Sequence, residues 1–302
     1  MSTPTPALSV LVCTARRSAW LGDLLDDLAR DTVDRPSLEV IIVDNDPLGS
    51  ARDVVVGRDA PFELRYDALP EPGIAGARNR SLALARADRV LFLDDDQAID
   101  PGFFAGLESA WRRRPHGFIG VRPRVLPRHE PGADPRFHAT PSSSRQPMQP
   151  VTRLEFATNG VMLERAALLA LGSAPFDRFF DLSGAEDTDL FVRLTRRGGR
   201  IAWCPEVVVW ERIPPERASL AHLYRYDFRV GVTGALLARR TLGASTGAEL
   251  AEVAAKLAWI ALKVGLAPTR VRPTAVVSQL VRVAGQAYGA LDGRYEPYRA
   301  KR

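Results

Sequence analysis

The sequence "RVLFLDDDQAID" at residues 89–100 places three consecutive carboxylates, Asp94, Asp95 and Asp96, directly after an apolar run. A single aspartate at this point would be typical of a turn or a helix cap. Three adjacent carboxylates repel one another, and a cation offsets that repulsion most readily. Mg²⁺ prefers oxygen ligands and is often held by one or two carboxylates together with substrate phosphates. The triplet is therefore a candidate site for a metal-bound diphosphate.

A second acidic cluster, "SGAEDTDLF", contains Glu186, Asp187 and Asp189. Acidic residues are common in the first turn of a helix, because they interact favourably with the positive end of the helix dipole. Gly184 precedes the cluster, and a glycine there would let a substrate approach the backbone closely. A carboxylate in this position could act as a general base if a substrate hydroxyl comes within hydrogen-bond distance.

Short apolar runs at 8–13, 38–43, 62–66 and 89–93 predict β-strands, and helical patterns lie between them. This alternation predicts an α/β fold, Rossmann-like, with a mainly parallel sheet flanked by helices. Ligands of such sheets bind beyond the carboxyl ends of the strands. Three of the predicted strands end in polar groups, "CTARR", "DND" and "DDD". We therefore expect the three groups to lie along one edge of the sheet and to form one site.

The second half of the chain predicts fewer regular strands. Residues from about 120 to 150 are rich in proline and show no sustained periodicity, which predicts a long flexible loop of functional importance. The following text predicts a strand, a turn at Asn159 and Gly160, and a helix, and "GAEDTDLFVRLTRRGG" predicts a helix closed by glycine. "RIAWCPEVVVWER" predicts one or two further strands.

We divide the sequence into an α/β domain at 1–215 and a helical C-terminal region at 216–302. Apolar residues spaced by three and four predict helices at 216–240 and 247–264, with Arg and Lys between them. Such amphipathic helices are first of all solvated surface helices, and second a surface for anionic lipid.

Composition limits the class of protein without selecting one. The 302 residues are 46% hydrophobic and 25% charged, as in ordinary globular proteins. A net charge of +5 favours polyanions in general, including nucleic acid, anionic lipid and nucleotide diphosphates. The N-terminus shows no signal-peptide pattern, and the most apolar late segment is interrupted by charges. We therefore expect a cytoplasmic protein that could contact the inner face of a membrane without crossing it.

The remaining cysteines, tryptophans and histidines are expected to have structural rather than ligand-binding roles. Cys13 and Cys204 lie in apolar runs and predict neither a disulfide framework nor a zinc site. Trp203 and Trp210 are expected to pack in the core, with sugar stacking as the less favoured role. The histidines have no mutual metal-ligand spacing and are expected in loops or at the surface: His116, His129, His138 and His222.

Taken in order along the chain, these motifs resemble family 2 glycosyltransferases of the GT-A fold, and within them the branch of succinoglycan biosynthesis. The similar text is "LSVLVCTARR", "EVIIVDNDPLGSAR", "PEPGIAGARNRSLALARADRVLFLDDDQAID", "ATNGVMLERAAL", "FDRFFDLSGAEDTDLFVRLTRRGGRIAWCPEVVVWERIPPER" and "GRYEPY". The set in this order is far more specific than any one motif. It covers residues 7–230 well and the remainder thinly. It implies that residues 1–215 form the catalytic domain, with a nucleotide-sugar half at about 7–115 and an acceptor half at about 150–215.

The resemblance implies a role for each matching residue. The base and ribose of a nucleotide sugar, most simply a UDP-sugar, would be surrounded by Thr14, Arg16, Asp44 and Arg78. Asp94 and Asp95 would lie along the ribose and diphosphate, and Asp96 would be the direct ligand of Mn²⁺ or Mg²⁺. Asp187 would be the catalytic base, with Glu186 beside a sugar. The sugar and acceptor pocket would be lined by Thr158, Asn159, Gly160 and Gly184.

The resemblance also implies an inverting transfer of a single sugar to a glycan, a lipid-linked acceptor or a secondary metabolite. Many relatives have two glycines before the Glu-Asp pair, whereas Ala185 replaces the second one here. The QxxRW motif of processive members is absent from the sequence. Where some GT-A enzymes have a metal-binding histidine, this chain has Glu211, a weaker candidate for an extra ligand.

Two other classes of function fit the sequence less well. A nucleotidyltransferase would also use Asp-bound metal on an α/β sheet, but it would need a glycine-rich loop after the first strand, and "CTARRSAW" contains no glycine. A nucleic-acid-binding protein would cluster Arg and Lys with aromatic residues on one face. In this sequence the basic residues are dispersed, and we expect no nucleic-acid partner.

Overall fold

The computed structural model describes residues 5–32, 37–137, 148–151, 157–266 and 272–298. The strands in these ranges are β1 Leu8–Thr14, β2 Leu38–Asp44, β3 Glu63–Ala68, β4 Arg89–Asp94, β5 Gln97–Ile99, β6 Phe118–His129, β7 Val161–Glu164 and β8 Arg200–Ile213. The helices are α1 Ser18–Thr32, α2 Arg52–Val55, α3 Ile74–Leu84, α4 Phe103–Arg113, α5 Arg165–Leu169, α6 Glu186–Arg196, α7 Leu220–Leu242, α8 Thr246–Leu266 and α9 Pro273–Ala290.

The strands form one mixed sheet in the order β3-β2-β1-β4-β7-β6-β8-β5. Strands β3, β2, β1 and β4 are parallel to one another, as the alternating pattern predicted. β7 is antiparallel to both of its neighbours, whereas β6 and β8 are parallel. The predicted α/β class is confirmed, with more antiparallel pairing than "mainly parallel" implied.

Helices cover both faces of the sheet. The leucines of α1 and the aromatic residues of α4 pack against one face, and α3, α5 and α6 pack against the other. All seven residues of β2 are buried. A strand covered on both faces is apolar at successive positions, which is the pattern of Val40–Val43; the buried Glu39 is held by Ser9 and Arg86.

The prediction of a loop from about 120 to 150 is wrong for its first part, because Phe118–His129 forms strand β6. Two prolines obscure this strand in the sequence, since proline cannot donate to a sheet ladder. The structure tolerates them because β7 pairs with β6 only at Gly120 and Val121. The remainder of β6 pairs with β8 on one side alone. Residues 138–147 of the predicted loop, including His138, lie outside the described residues.

The region after this strand agrees with the sequence in part. The strand predicted before Asn159 falls mostly on residues 152–156, which lie outside the described part of the chain. The turn at Asn159 and Gly160 is confirmed, but a strand, β7, follows it before helix α5 begins. The helix at 186–196 is also confirmed, and Gly198 ends it with a φ of 85°.

Helices α7 and α8 confirm the two helical stretches predicted near the C-terminus. α7 packs on the rest of the fold through a small apolar cluster around Phe180. α7 and α9 approach so closely that a side chain at Gly231 would overlap the backbone of Arg282. No helix within the described ranges is long and apolar enough to cross a membrane.

Candidate active site

The carboxyl ends of β1, β2 and β4 meet at one edge of the sheet. Thr14 lies opposite Asp44 in the β1–β2 register, and Cys13 lies opposite Asp94 in the β1–β4 register. The three polar groups predicted to share an edge are therefore neighbours. The physical cause is the parallel pairing, which brings strand ends together although the residues are far apart in sequence.

Asp95 and Asp96 form the turn between β4 and β5 and are held by cationic and hydroxyl groups. Thr14 donates from Oγ1 to Asp95 Oδ2 at 2.8 Å. Arg17 donates from Nη1 to Asp95 Oδ1 at 2.9 Å and to Asp96 Oδ2 at 3.2 Å. Arg217, from the segment between β8 and α7, donates to Asp96 Oδ2 at 2.8 Å. Two guanidinium groups thus partly neutralise the triplet.

Burial and neighbouring charges shift the pKa values of the aspartates in the cleft. Burial raises the pKa of Asp95 to about 6, and the nearby guanidinium of Arg17 offsets this only in part. Burial also raises the pKa of Asp94, Arg78 lowers it, and the charges of Asp96 and Asp187 raise it. The charges of both acidic clusters therefore act on the same carboxyl group.

Arg78 joins the two acidic clusters. From α3 it donates to Asp94 Oδ1 at 3.4 Å, and its Nη1 atom forms an ion pair with Glu186. The side chains of Arg78 and Glu186 are only 8% and 3% exposed. A buried carboxylate needs such a partner, because desolvation otherwise disfavours its charged form. The Oε2 atom of Glu186 is buried and has no hydrogen-bond partner among the residues that the structure describes.

Asp187 follows Glu186 in the first turn of α6 and is half-buried. Its Oδ1 atom accepts from the Thr188 N–H at 2.6 Å and from the Thr188 hydroxyl at 3.3 Å. Among the described residues, no hydrogen bond reaches its Oδ2 atom. The helix begins after two residues in the left-handed region, with φ of 81° at Gly184 and 78° at Ala185. Ala185 therefore adopts a backbone conformation that L-amino acids disfavour, in addition to narrowing the pocket.

Two residues predicted beside the nucleotide hold the neighbouring loop. Asp44 is fully buried. Its carboxylate accepts from the N–H groups of Asp46 (3.0 Å) and Ala51 (2.7 Å) and from the Tyr66 hydroxyl (3.2 Å). Arg16 has a φ of 59°, and its side chain is 55% exposed beside Asp46. Arg16 is thus accessible to a ligand, whereas Asp44 shapes the loop from within.

The Thr158–Gly160 turn lies at the end of β4, because the Gly160 N–H donates to the Phe92 carbonyl at 2.9 Å. Arg122 of β6 donates to the Asn159 side chain at 2.7 Å and to two backbone carbonyls of the turn. Thr158 is fully buried, and its hydroxyl has no hydrogen-bond partner within the described ranges. The turn is therefore fixed by Arg122, which the sequence interpretation did not single out.

The residues around Asp96 fit a hard divalent cation. Among the described residues, both side-chain hydrogen bonds of Asp96 go to Oδ2, leaving Oδ1 free. Glu211 lies nearby and shares Arg217 with Asp96 at 3.5 Å. Burial, and secondarily the charge of Asp96, raise the pKa of Glu211 to about 7, and Arg217 offsets this only in part. The described residues contain no preformed cluster of three or more metal-ligating side chains, so substrate phosphates would complete the ligand set.

Arg17 and Arg217 were missed by the sequence interpretation. Arg17 follows Arg16 in "TARR", and a strand-end arginine beside a carboxylate triplet is the only signal that could have selected it. Arg217 lies in "WERIPPER", far from the triplet in sequence. Trp203 is buried as predicted, but Trp210 is half-buried and donates to Asp100 at 2.6 Å.

A comparison with protein families identifies the class of enzyme that has this fold and cleft. Residues 5–233 match the family described as "Glycosyltransferase like family 2". The chain therefore belongs to that family and is a glycosyltransferase. The succinoglycan biosynthesis protein ExoM of Rhizobium meliloti (strain 1021) is 33% identical over 297 residues, which cover 96% of this chain and 95% of ExoM. Validoxylamine A glucosyltransferase of Streptomyces hygroscopicus subsp. jinggangensis (strain 5008) is 32% identical over 107 residues, covering 35% and 25%.

Solved structures confirm the GT-A fold that the resemblance implied. The mannosyltransferase PcManGT of Pyrobaculum calidifontis, in complex with GDP-Man and Mn²⁺, has a TM-score of 0.61 and 21% identity, covering 96% of this chain and 88% of its own. S. aureus TarS 1–349 in complex with UDP has a TM-score of 0.55 and 16% identity, covering 94% and 90%. At these identities the likeness concerns the fold.

Proposed function

We propose that this glycosyltransferase moves one sugar from a nucleotide-sugar donor to an acceptor hydroxyl, with inversion at the anomeric carbon. The observation that carries the proposal is the meeting of the Asp94–Asp96 triplet with Asp187 in one cleft. The charge of Asp187 raises the pKa of Asp94, so the two acidic clusters are electrostatic neighbours. A single displacement needs a donor diphosphate and a general base within one cleft, and Arg78 links the clusters by contacting both Asp94 and Glu186.

We favour a UDP-sugar as the donor. The structures similar to this fold include complexes with UDP and with GDP-Man, which supports a nucleotide sugar. Exposed Arg16 lies beside Asp46, and buried Arg78 contacts Asp94 at the end of β4. Together with Thr14 and the loop shaped by Asp44, they would surround the base and ribose. Arg17 and Arg217 could turn from the triplet to the diphosphate oxygens, because guanidinium groups bind phosphate well.

Asp96 would hold Mn²⁺ or Mg²⁺ through its free Oδ1 atom, with Glu211 as a further oxygen donor. The bound cation would supply electrostatic stabilisation to the departing nucleoside diphosphate. Asp187 would take the proton of the acceptor hydroxyl through its Oδ2 atom. Thr188 holds the other oxygen of Asp187, which fixes the orientation of the carboxylate. The unpartnered Oε2 atom of Glu186 would accept a hydrogen bond from a sugar hydroxyl.

We propose as acceptor a glycan intermediate of polysaccharide synthesis, free or lipid-linked, which the similarity to ExoM over nearly the whole chain supports. A small secondary metabolite is the second candidate, supported by the shorter match to validoxylamine A glucosyltransferase. A lipid-linked acceptor would bring a cytoplasmic enzyme to the inner face of a membrane as a peripheral protein. The pocket for the acceptor would include Gly184 and the Thr158–Gly160 turn.

The test is release of nucleoside diphosphate from a panel of UDP-, GDP- and dTDP-sugars with candidate acceptors and Mn²⁺. Asp187→Asn is expected to lower the rate by about 10²–10⁴-fold, because it removes the base, while donor affinity measured by calorimetry is retained. Asp96→Asn is expected to weaken donor binding and to abolish its dependence on Mn²⁺. Asp59→Asn, an exposed carboxylate outside the cleft, is the matched control.

Two results would overturn the proposal. A product that keeps the anomeric configuration of the donor, observed by NMR, would exclude a single displacement with Asp187 as base. Release of pyrophosphate rather than nucleoside diphosphate would indicate a nucleotidyltransferase.

A further inference from the structure

Helix α8 is apolar in sequence but almost unpartnered in the fold. Among its residues, burial is confined to Glu249, Val253 and Ile260, of which Val253 and Ile260 pack with Val283 of α9. Its large apolar side chains are exposed: Leu250 (37%), Leu257 (43%), Trp259 (56%), Leu262 (49%), Val264 (38%) and Leu266 (76%). Single exposed apolar residues are ordinary, but a contiguous set of this kind marks an interaction surface.

The exposed side of α8 is apolar over about half of the helix circumference, given about 100° per residue. The side opposite the buried stripe, which we term the outward face, consists of Ala251, Ala254, Ala255, Ala258, Ala261 and Leu262, and all six are exposed. The charged residues Glu252, Lys256 and Lys263 lie together along one edge of this face. A solvated helix would place charge on its outward side, so this pattern is inverted relative to that of a surface helix.

The boundary between the outward face and the charged edge carries a Trp–Lys pair. Lys263 Nζ lies 5.1 Å from the centre of the Trp259 ring. Within the described part of the chain, Lys263 forms no ion pair, whereas Lys256 pairs with Glu252 at 2.7 Å. An apolar face bordered by tryptophan and lysine suits the interface of a lipid bilayer, where the ring lies at headgroup depth and the ammonium group reaches phosphate.

We propose that α8 binds the surface of an anionic lipid bilayer through its outward face, lying parallel to the membrane plane. The net charge of +5 complements such a surface. A second copy of the chain would bury the alanines equally well, but it would carry the same net charge of +5. Charge therefore favours lipid over self-association.

The inference deepens the proposed function by naming the surface that would bring the enzyme to a lipid-linked acceptor. It can fail separately, because vesicle binding needs no donor, metal or acceptor. The experiment is flotation of the full chain with phosphatidylcholine vesicles and with equimolar phosphatidylcholine and phosphatidylglycerol vesicles, at low and high salt. Quenching of tryptophan emission by brominated lipid, compared with Trp259→Phe, reports the position of this ring.

The wild-type protein is expected to float with the anionic vesicles, less so at high salt, and to lose most of its quenching in Trp259→Phe. The double variant Ala258→Glu, Leu262→Glu, on the outward face, is expected to reduce the bound fraction about tenfold, and Lys263→Glu to reduce it on anionic vesicles alone. Val56→Glu, at an exposed apolar residue outside α8 (52% exposed), is the control. Because the substituted side chains are exposed, thermal unfolding should be unchanged.

The proposal is overturned if wild-type protein ignores anionic vesicles, or if the double variant binds them as well as wild type. Concentration-dependent dimerisation that the double variant abolishes, without vesicle binding, would assign the outward face to a second copy instead.

Discussion

The ion pair between Arg78 and Glu186 offers the sharpest test of how the two acidic clusters are held together. Both side chains are nearly inaccessible, with exposed fractions of 8% and 3%. Removing one partner of a buried pair typically costs about 3–5 kcal/mol, because the other charge stays buried and unpaired. We therefore expect Arg78→Met to be strongly destabilised. Loss of the guanidinium should also raise the pKa of Asp94 further, since Arg78 lowers it.

The loss of stability converts into a measurable shift in melting temperature. At about 2 cal/mol/K per residue, unfolding of the 302 residues has an entropy of about 0.6 kcal/mol/K. A loss of about 3–5 kcal/mol then lowers Tm by about 5–8 °C. Differential scanning calorimetry measures this directly. The double variant Arg78→Met, Glu186→Gln removes the orphaned charge and should recover much of the loss.

Arg80→Met is the matched control, because Arg80 lies on the same helix and pairs with Asp67 at the surface. Exposed pairs contribute about 0–1 kcal/mol, so its Tm should fall by no more than about 2 °C. The reasoning is refuted if Arg78→Met melts within about 2 °C of wild type, or if the double variant is no more stable than Arg78→Met.

Two further substitutions test other parts of the fold. Ala185→Gly should stabilise the protein by about 1 kcal/mol, a rise in Tm of about 1–2 °C, because Ala185 has a φ of 78°; a fall in Tm would show that its side chain contributes more by packing. Burial would raise the pKa of Glu39, but hydrogen bonds from Ser9 and Arg86 hold it below its ordinary value of 4.5. The charged form therefore stabilises the fold above pH 4.5, and this contribution is lost as the pH falls through the lowered pKa. Glu39→Gln should cost about 1–3 kcal/mol in urea unfolding at pH 7, and this difference in unfolding free energy between wild type and variant should narrow below pH 4.5. A difference that stays constant with pH would show that the charged form of Glu39 does not stabilise the fold.

The site could be anticipated from the sequence to the extent that strand ends determine it. Apolar runs followed by "CTARR", "DND" and "DDD" locate polar groups at the carboxyl ends of β1, β2 and β4. Parallel pairing is the usual outcome of alternating strands and helices, and it places these ends side by side. The position of these polar groups at one edge of the sheet therefore follows from local sequence alone.

Strand β6 could not be predicted, because its prolines and arginines conceal a strand that tertiary pairing creates. Gly120 is required where β6 crosses β7, since a side chain there would lie 2.5 Å from the Met162 carbonyl. The prolines beyond it are tolerated because β7 begins at Val161 and does not run alongside them. Local propensity is a weak guide where neighbouring strands decide which backbone groups must pair.

By itself, then, the sequence determined the α/β class, the acidic triplet and the acidic start of α6, because each follows from local pattern. Only the tertiary structure decided which cations meet these acids. Arg78 and Glu186 are 108 residues apart, and Arg217 and Asp96 are 121 apart. In a chain with many arginines, the sequence pattern does not show which arginine will meet a given carboxylate. The fold brings only a few of them within reach of the buried carboxylates. Burial then makes those few pairings strong, since an unpaired buried charge is the costlier alternative.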